Sequence, residues 1–479
     1  MNNSMSLGLY ISVPFCRTKC SYCNFASDVF SKSAYENYVA RLLEDIANSH
    51  QLASELGCAL GSTADSIYLG GGTPSILDAP QLLRIFAAVR GQFTVTPDVE
   101  ITVECAPGTL TPALIETLLL CGVNRVSLGV QSFVDPEAQS VGRLHKRSTV
   151  LEEIGRLRES GLGDISIDLI AGLPHQTAES WAFSVSETIA TGVPHVSVYM
   201  LEVDDDSRLG RELIAGGARY HAHFVPDDDA TADFYQQACE MLGSAGIAQY
   251  EISNFARVGA RNSKLQSNQS RHNLKYWTRQ PYLGFGVDAH SMLELVWGRA
   301  PSPVQAERSS AAAGGHRNSE FATAIDRIEA ERPQAIRFET PDSLDAYMNR
   351  EPRTVTPVSP QAAIEETFFL GLRLNRGIDL ERLRTGSSLG EGHDFNRATN
   401  AAEKTTLAAE ATRRRQQEFS CETVPAWNTA IKQSMREGLL EQQGTTVRLT
   451  ARGRLLSNEV FARFLSEETK VGTGHVNSR

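Results

Sequence analysis

Between residues 8 and 203 the chain repeats one pattern six times, and no other feature narrows its fold as much. Short β-rich runs, GLYISVPF (8–15), SIYLGG (66–71), EITVEC (100–105), RVSLGVQS (125–132), DISIDLIAG (164–172) and HVSVYMLEV (195–203), are separated by amphipathic segments. Strands alternating with helices build βαβ units, and their strands pair in parallel because the chain crosses back before each new strand. In STVLEEIGRLRESG, Val150, Leu151, Ile154 and Leu157 share a face at helical spacing. Thr111-Pro112, and Thr177 followed by Glu179, have the form of helix starts. The β-rich runs read as apolar stretches rather than strict alternation, which suits a sheet buried under helices on at least one face. A curved, partial (β/α) barrel and an open doubly wound sheet both agree with this α/β pattern. Either one places its chemistry at the C-terminal ends of the strands.

The stretch CRTKCSYCNF (16–25) puts Cys16, Cys20 and Cys23 in the loop after the first strand. The start of the chain, MNNSMSLGLYISVPFC, lacks the basic and apolar pattern of a secretory peptide, so a disulfide framework is not expected. Cys58, Cys105, Cys121, Cys239 and Cys421 are scattered singly and read as small buried apolar residues. Structural zinc usually takes two closely spaced cysteine pairs, or cysteine with histidine, and no second pair is spaced to complete such a site. An iron–sulfur cluster held by three thiolates leaves one iron open to an outside ligand. The second strand ends in LGGGTPS (69–75). Successive glycines let a backbone approach a ligand closely, or simply make a tight strand-to-helix turn.

CxxxCxxC after the first strand, followed one βα unit later by GGGTP, resembles the radical S-adenosylmethionine (SAM) superfamily. That resemblance implies a partial (β/α)6 barrel and a 4Fe-4S cluster whose open iron is chelated by the amino and carboxylate groups of SAM. Further motifs follow in order. GLYISVPFC, TVECAPGTL, RVSLGVQSF and SIDLIAGLPHQT resemble those of the anaerobic coproporphyrinogen III oxidase branch, and the likeness runs from about residue 8 to residue 295. It implies that Cys16, Cys20 and Cys23 ligate the cluster and that Tyr10 and Tyr22 line it and the SAM pocket. Gly71, Gly72 and Thr73 would hold the polar end of SAM, and Glu104, Gln131, Arg143 and Asp168 would contact SAM or a second ligand. Carboxylates suit ribose hydroxyls and ammonium groups, and arginine suits a carboxylate. Glu104 and Arg143 could instead pair with each other. No residue is assigned a catalytic role.

Within that branch, the oxidases carry a further cysteine two places after the third, where this chain has Phe25, and a longer segment before the cluster. YEISNFAR (250–257), RHNLKYW (271–277) and YLGFGVDAHS (282–291) resemble the haem chaperone (HemW-type) branch. This implies a protein that binds haem and passes it to recipient haemoproteins. The alternative is an oxygen-independent coproporphyrinogen III oxidase. KLQSNQS makes the stretch before His272 longer than is common in that branch. His272 is the candidate axial haem ligand, with Tyr276 and Trp277 available to the porphyrin face. The plainer reading is a His-Asn pair hydrogen bonded into a loop. His290 is the second choice, and His221 and His223 read as polar surface.

The 479 residues allow three regions: a barrel core over 1–260, an extension over 261–350, and a mainly helical domain over 351–479. The extension carries the HNLKYW segment and a Ser, Ala and Gly-rich linker (301–325). The last region has a helix, a short hairpin around GLLEQQGTTVRLT, and a final helix, an order resembling a winged helix. Arg413, Arg414 and Arg415 read as a solvated helix face. A net charge of −11 and a pI near 5.6 argue against nucleic-acid binding. No apolar run reaches eighteen residues, so stable membrane insertion is not expected. These readings together place the protein in the cytoplasm, as a monomer or homodimer, with haemoproteins and an electron donor protein as partners.

Overall fold

The computed structural model of the chain describes residues 6–258, 267–295, 333–385 and 425–466. In the first strand, β1 (Leu7–Val13), Leu7, Leu9, Ile11 and Val13 are buried, and Gly8, Tyr10 and Ser12 alternate with them. The same alternation runs through β2 (Thr63–Gly71), β3 (Thr94–Cys105), β4 (Arg125–Gln131), β5 (Asp164–Ala171) and β6 (His195–Met200). Ile67, Leu69, Ile101, Val103, Val126, Leu128, Ile165, Ile167, Val196 and Val198 continue the apolar set. Ser66, Tyr68, Glu100, Thr102, Glu104, Arg125, Ser127, Asp164, Ser166, Asp168, His195 and Ser197 occupy the places between. Most of the expected apolar runs therefore alternate apolar with polar or small residues, with Ile170 at the end of β5 as an exception. Side chains alternate across a strand, so one face of this sheet is greasy and the other is polar.

The helices of the repeat are α1 (Lys32–Ala47), α2 (Ser49–Glu55), α3 (Ala79–Gln92), α4 (Pro112–Leu120), α5 (Asp135–Ser140), α6 (Arg147–Glu159) and α7 (Ala178–Thr191). Their buried faces, such as Leu82, Ile85, Phe86 and Val89 of α3 or Val150, Ile154 and Leu157 of α6, form the core with the apolar set. Burying a side chain of this kind contributes about 1.5–3 kcal/mol. The starts are built as their sequences suggest. The Thr111 hydroxyl accepts from the Leu114 N–H, and the Thr177 hydroxyl from the Ser180 N–H.

Strands β1 to β6 are parallel and lie in chain order. Beyond β6 come α8 (Arg208–Ala215), α9 (Asp228–Ser244), and the antiparallel pair β7 (Ile247–Gln249) and β8 (Asn254–Arg257), with β8 on the edge of β6. At the other edge β9 (Tyr282–Phe285) pairs in parallel with β1 over Gly8–Ile11. The antiparallel strands β10 (His290–Glu294), β11 (Ala335–Glu339) and β12 (Thr354–Val358) follow it outward. Because β9 hydrogen bonds to β1, the expected core and extension lie in one compact unit, Met1–Ala363. The linker at 301–325 and the arginines at 413–415 lie outside the described residues.

The second compact unit is Ile364–Arg479. In it, helix Pro425–Arg436 leads into the hairpin Leu440–Gln443 and Thr446–Leu449, with Ile378–Asp379 as third strand, then helices Ala451–Leu455 and Ser457–Ala462. Phe368 stacks on Phe464 at 4.6 Å and packs at 5.6 Å from Trp427. Helix, hairpin and helix follow in the winged-helix-like order. No helix among the described residues is long and apolar enough to cross a membrane.

Candidate functional site

The polar face of the sheet is buried, so its groups must find one another. Ser127 is level with Ser166, and Ser166 with His195. Ser127 Oγ donates to both Asp168 oxygens at 3.0 and 2.9 Å. Ser166 Oγ lies 2.7 Å from His195 Nδ1, and His195 Nε2 lies 3.0 Å from the Tyr250 hydroxyl. Such a lining can take a polar ligand at the strand ends.

The cysteine loop leaves β1 at that end and is fastened by its backbone. Cys16 N–H donates to Asp28 O, Ser21 N–H to Val141 O, and Leu209 N–H back to Ser21 O. Hydroxyl and guanidinium donors reach the sulfurs: Thr73 Oγ1 donates to Cys16 Sγ at 3.6 Å, and Arg143 Nη1 to Cys20 Sγ at 3.5 Å. Burial pushes the Cys16 and Cys23 thiols up, and the neighbouring cysteines add to it. Left alone, such thiols stay protonated; bound to iron, they are thiolates for which these donors are already in place. The donor set, three cysteines in one loop with hydroxyl and guanidinium donors at two of their sulfurs, has the chemistry that a cluster taking its thiolates at separate corners would need.

The glycine run does a job that its sequence did not disclose. Gly72 N–H donates to Val13 O at 2.8 Å, and Thr73 N–H to Phe15 O at 2.7 Å. A Cβ on Gly72 would lie 2.7 Å from both carbonyl oxygens. Gly72 is thus required for close approach to the backbone that carries the cysteines, and Gly71, at φ +98°, turns the chain into place. Thr73 then reaches Cys16, so the two motifs form one structure.

Glu104, at the end of β3, accepts from the Tyr68 hydroxyl at 2.7 Å. Burial pushes its carboxyl up to about 7, with Asp168 adding to the shift. Burial likewise raises the Asp168 carboxyl. Gln131, at the end of β4, sits in the left-handed region at φ 69°, an uncommon place for a non-glycine residue. Arg143 also donates to Gly129 O, so its hydrogen bonds go to the cysteine loop and β4 rather than to Glu104. Tyr22 packs on Val141, Ile170 and Leu173. Tyr10 lies deeper, stacked at 6.2 Å on Tyr68. Cys16, Cys20, Cys23, Tyr22, Gly71, Gly72, Thr73, Glu104, Gln131, Arg143 and Asp168 therefore lie on β1–β5 and the loops that follow them. Sequence reasoning missed Tyr68, Ser127 and His195; the alternation of their strands was the signal that could have found them.

The HNLKYW segment lies elsewhere. It forms α10 (Arg271–Trp277), whose first N–H groups, on Arg271 and His272, donate to the Glu100 carboxylate at 2.9 and 3.0 Å. Lys275 is buried and paired with Asp65 at 2.8 Å. His272 is 1% exposed. Its Nδ1 lies 3.0 Å from Ser66 Oγ, its Nε2 2.8 Å from the Tyr276 hydroxyl, and its ring stacks on Tyr68. Burial pushes it down to about 3, so the ring is neutral at ordinary pH. Both ring nitrogens of this candidate haem ligand are thus engaged within the fold. The plainer expectation, a histidine hydrogen bonded into a loop, is corrected in one respect: the hydrogen bonds are there, but the residues are helical. α10 packs against Gly8 and Ser66, toward the N-terminal ends of β1 and β2, away from the cysteine loop. His290 lies 3.3 Å from Glu339.

The radical SAM superfamily matches residues 10–185, and the HemN C-terminal domain matches 358–394. The chain is 28% identical to Heme chaperone HemW of Lactococcus lactis subsp. lactis over 459 residues, 96% of this chain and 97% of that one. It is 33% identical to Heme chaperone HemW of Escherichia coli over 294 residues, 61% of this chain and 72% of that one. Among solved structures, coproporphyrinogen III oxidase (HemN) from Escherichia coli, a radical SAM enzyme, superposes with a TM-score of 0.68 at 20% identity. That match covers 96% of this chain and 90% of the other, and it is a likeness of fold.

Proposed function

The chain belongs to the radical SAM superfamily and, within it, to the Heme chaperone HemW family, and on that premise we propose that it is a haem carrier. It holds a 4Fe-4S cluster on Cys16, Cys20 and Cys23, binds SAM beside it, and binds haem for delivery to recipient haemoproteins. The observation that carries this reading is likeness to haem chaperones across 96% of the chain. Phe25, in the place of the oxidases' additional cysteine, supports it.

The cluster, when bound, supplies an open iron for the amino and carboxylate groups of SAM and an electron on reduction. The chain's own residues prepare the place. Thr73 and Arg143 donate to cysteine sulfurs and stabilise them as thiolates. Glu104 and Asp168, whose carboxyls burial holds up, accept hydrogen bonds from ribose hydroxyls or an ammonium group. Gly71 and Gly72 let this turn close onto the backbone that leads into the cysteines, which sets Thr73 and the turn's polar groups beside the place for the polar end of SAM, and Gln131, Tyr10 and Tyr22 complete the walls. An electron donor protein and a cytoplasmic place of work belong to the same proposal.

The test uses anaerobically reconstituted, full-length protein. Titration with hemin should give a saturable Soret band, and a haem-free haemoprotein should acquire haem from the complex faster than from free hemin. A parallel assay with SAM, a reductant and coproporphyrinogen III should give no conversion of propionates to vinyl groups. Absence of saturable hemin binding, or vinyl product from a protein that does not bind hemin, would overturn the proposal in favour of the oxidase.

A further inference from the structure

The loop after β5 and the loop after α8 bring together His175, which the sequence did not single out, and His221, whose spacing from His223 suggested only polar surface. We propose that His221 is the axial ligand of the haem iron, on a docking surface beside the cysteine loop, and that His175 is the positioning residue that orients its imidazole. This rests on haem carriage as the function and names the residues that perform it.

His175 Nε2 lies 3.1 Å from His221 Nδ1. With His221 as donor, its Nδ1–H is held by His175, and its Nε2 carries the lone pair. No other hydrogen bond to that Nε2 is present among the described residues. Iron-ligating histidines are usually arranged in this way, because a hydrogen bond at one ring nitrogen fixes the tautomer and aims the other. The pair is built rather than incidental. His175 stacks on Phe224 at 4.2 Å, and its N–H donates to Phe224 O at 2.9 Å. Phe224 N–H donates to His221 O. The buried Glu212 carboxylate accepts the N–H groups of Tyr220 and Ala222 and so clamps the loop from behind. Both histidines are in the left-handed region, at φ 67° and 62°, which is uncommon for residues other than glycine.

The surroundings match the rest of a haem. Phe224 is 57% exposed, and Leu213 and Ile214, next to Glu212 on α8, are exposed as well. These offer apolar contact to a flat macrocycle. Arg219, exposed and lying over the Tyr220 ring at 5.3 Å, offers a cation to a propionate. α8 is tied to the cysteine loop through Leu209 N–H and Ser21 O, so this surface adjoins the proposed cluster. His272 has both ring nitrogens engaged, and His290 faces Glu339 and Asp288.

Hemin titrations of the reconstituted, full-length protein and its variants test the assignment, with the cluster absorbance as the check on folding. Asparagine tolerates the left-handed backbone, so His221→Asn should keep the cluster and lose the histidine-type Soret band. His221→Gly should lose it too and regain it on addition of free imidazole. His175→Gln should weaken binding about tenfold, as loss of an orienting partner does, and His223→Gln, on the exposed neighbour, should change nothing. An unchanged band in His221→Asn, or no response of His221→Gly to imidazole, overturns the inference and leaves haem carriage standing. Tight binding of zinc that needs His175 and His221, with hemin binding unaffected by either substitution, overturns it also. Lack of hemin binding by the unsubstituted protein removes both.

Discussion

At the scale of single residues, Glu104 has the most consequential environment. Its carboxyl is taken out of water beside Asp168, so the neutral form is favoured until the pH approaches about 7. The sign of the effect follows. Below the ordinary carboxyl range, folded and unfolded chains are both protonated. As pH rises through that range toward 7, the unfolded chain loses its proton first and the fold loses stability. SAM binding should run the other way, because an ionised carboxylate is the better acceptor. We expect SAM affinity, measured by equilibrium dialysis on the reconstituted protein, to tighten as pH rises from 6 to 8. In Glu104→Gln the same measurement should be flat; an equal slope in both proteins would exclude Glu104 from the SAM pocket. Gly72 is the other residue with an outsized role, since a single methyl group there would collide with the carbonyls leading into the cysteines.

At the scale of elements, α10 shows how a motif can be held by something far away in sequence. Its two leading N–H groups end on Glu100, and its Arg271 side chain reaches Asp98. Replacing Glu100 by Ala removes the acceptor and leaves both N–H groups buried and unsatisfied, a cost of about 2–4 kcal/mol. The urea midpoint should fall accordingly, with the cluster absorbance retained, because the cysteine loop is tied to Asp28, Val141 and Leu209 and not to α10. Loss of the cluster together with stability would mean that α10 supports the cysteine loop after all. The alternating strands belong to the same scale. A polar set facing inward is what lets β1–β6 carry ionisable groups on one side and a hydrocarbon core on the other.

At the scale of the whole molecule, the two compact units have separate cores: the sheet-and-helix core in Met1–Ala363, and the Phe368, Trp427 and Phe464 group in Ile364–Arg479. All the proposed cluster and SAM residues are in the first. A bound group stabilises the fold that holds it by mass action. Calorimetry before and after chelation of the iron should therefore show one transition moving down by several degrees and another staying where it was. A single transition shifting as a whole would show that the two units unfold together.

The sequence by itself determined the parallel direction of β1 to β6, the cysteine triplet and, through its ordered motifs, the family, because these are set by local periodicity and by spacing within short segments; the order of the strands and the bonding of the glycine run to the cysteine loop were left to the tertiary structure. The carboxylates Glu104 and Asp168 were legible through their motifs at the strand ends. Tertiary structure decided the rest. Glu100 and His272 are 172 residues apart, Ser66 and His272 are 206 apart, and His175 and His221 are 46 apart. No local pattern encodes such meetings, since they exist only after the sheet has brought distant strand ends and loops together. That is why HNLKYW, which reads as a candidate haem ligand, is buried with its imidazole engaged, and why His221, which reads as polar surface, meets His175, which the sequence did not single out, at 3.1 Å.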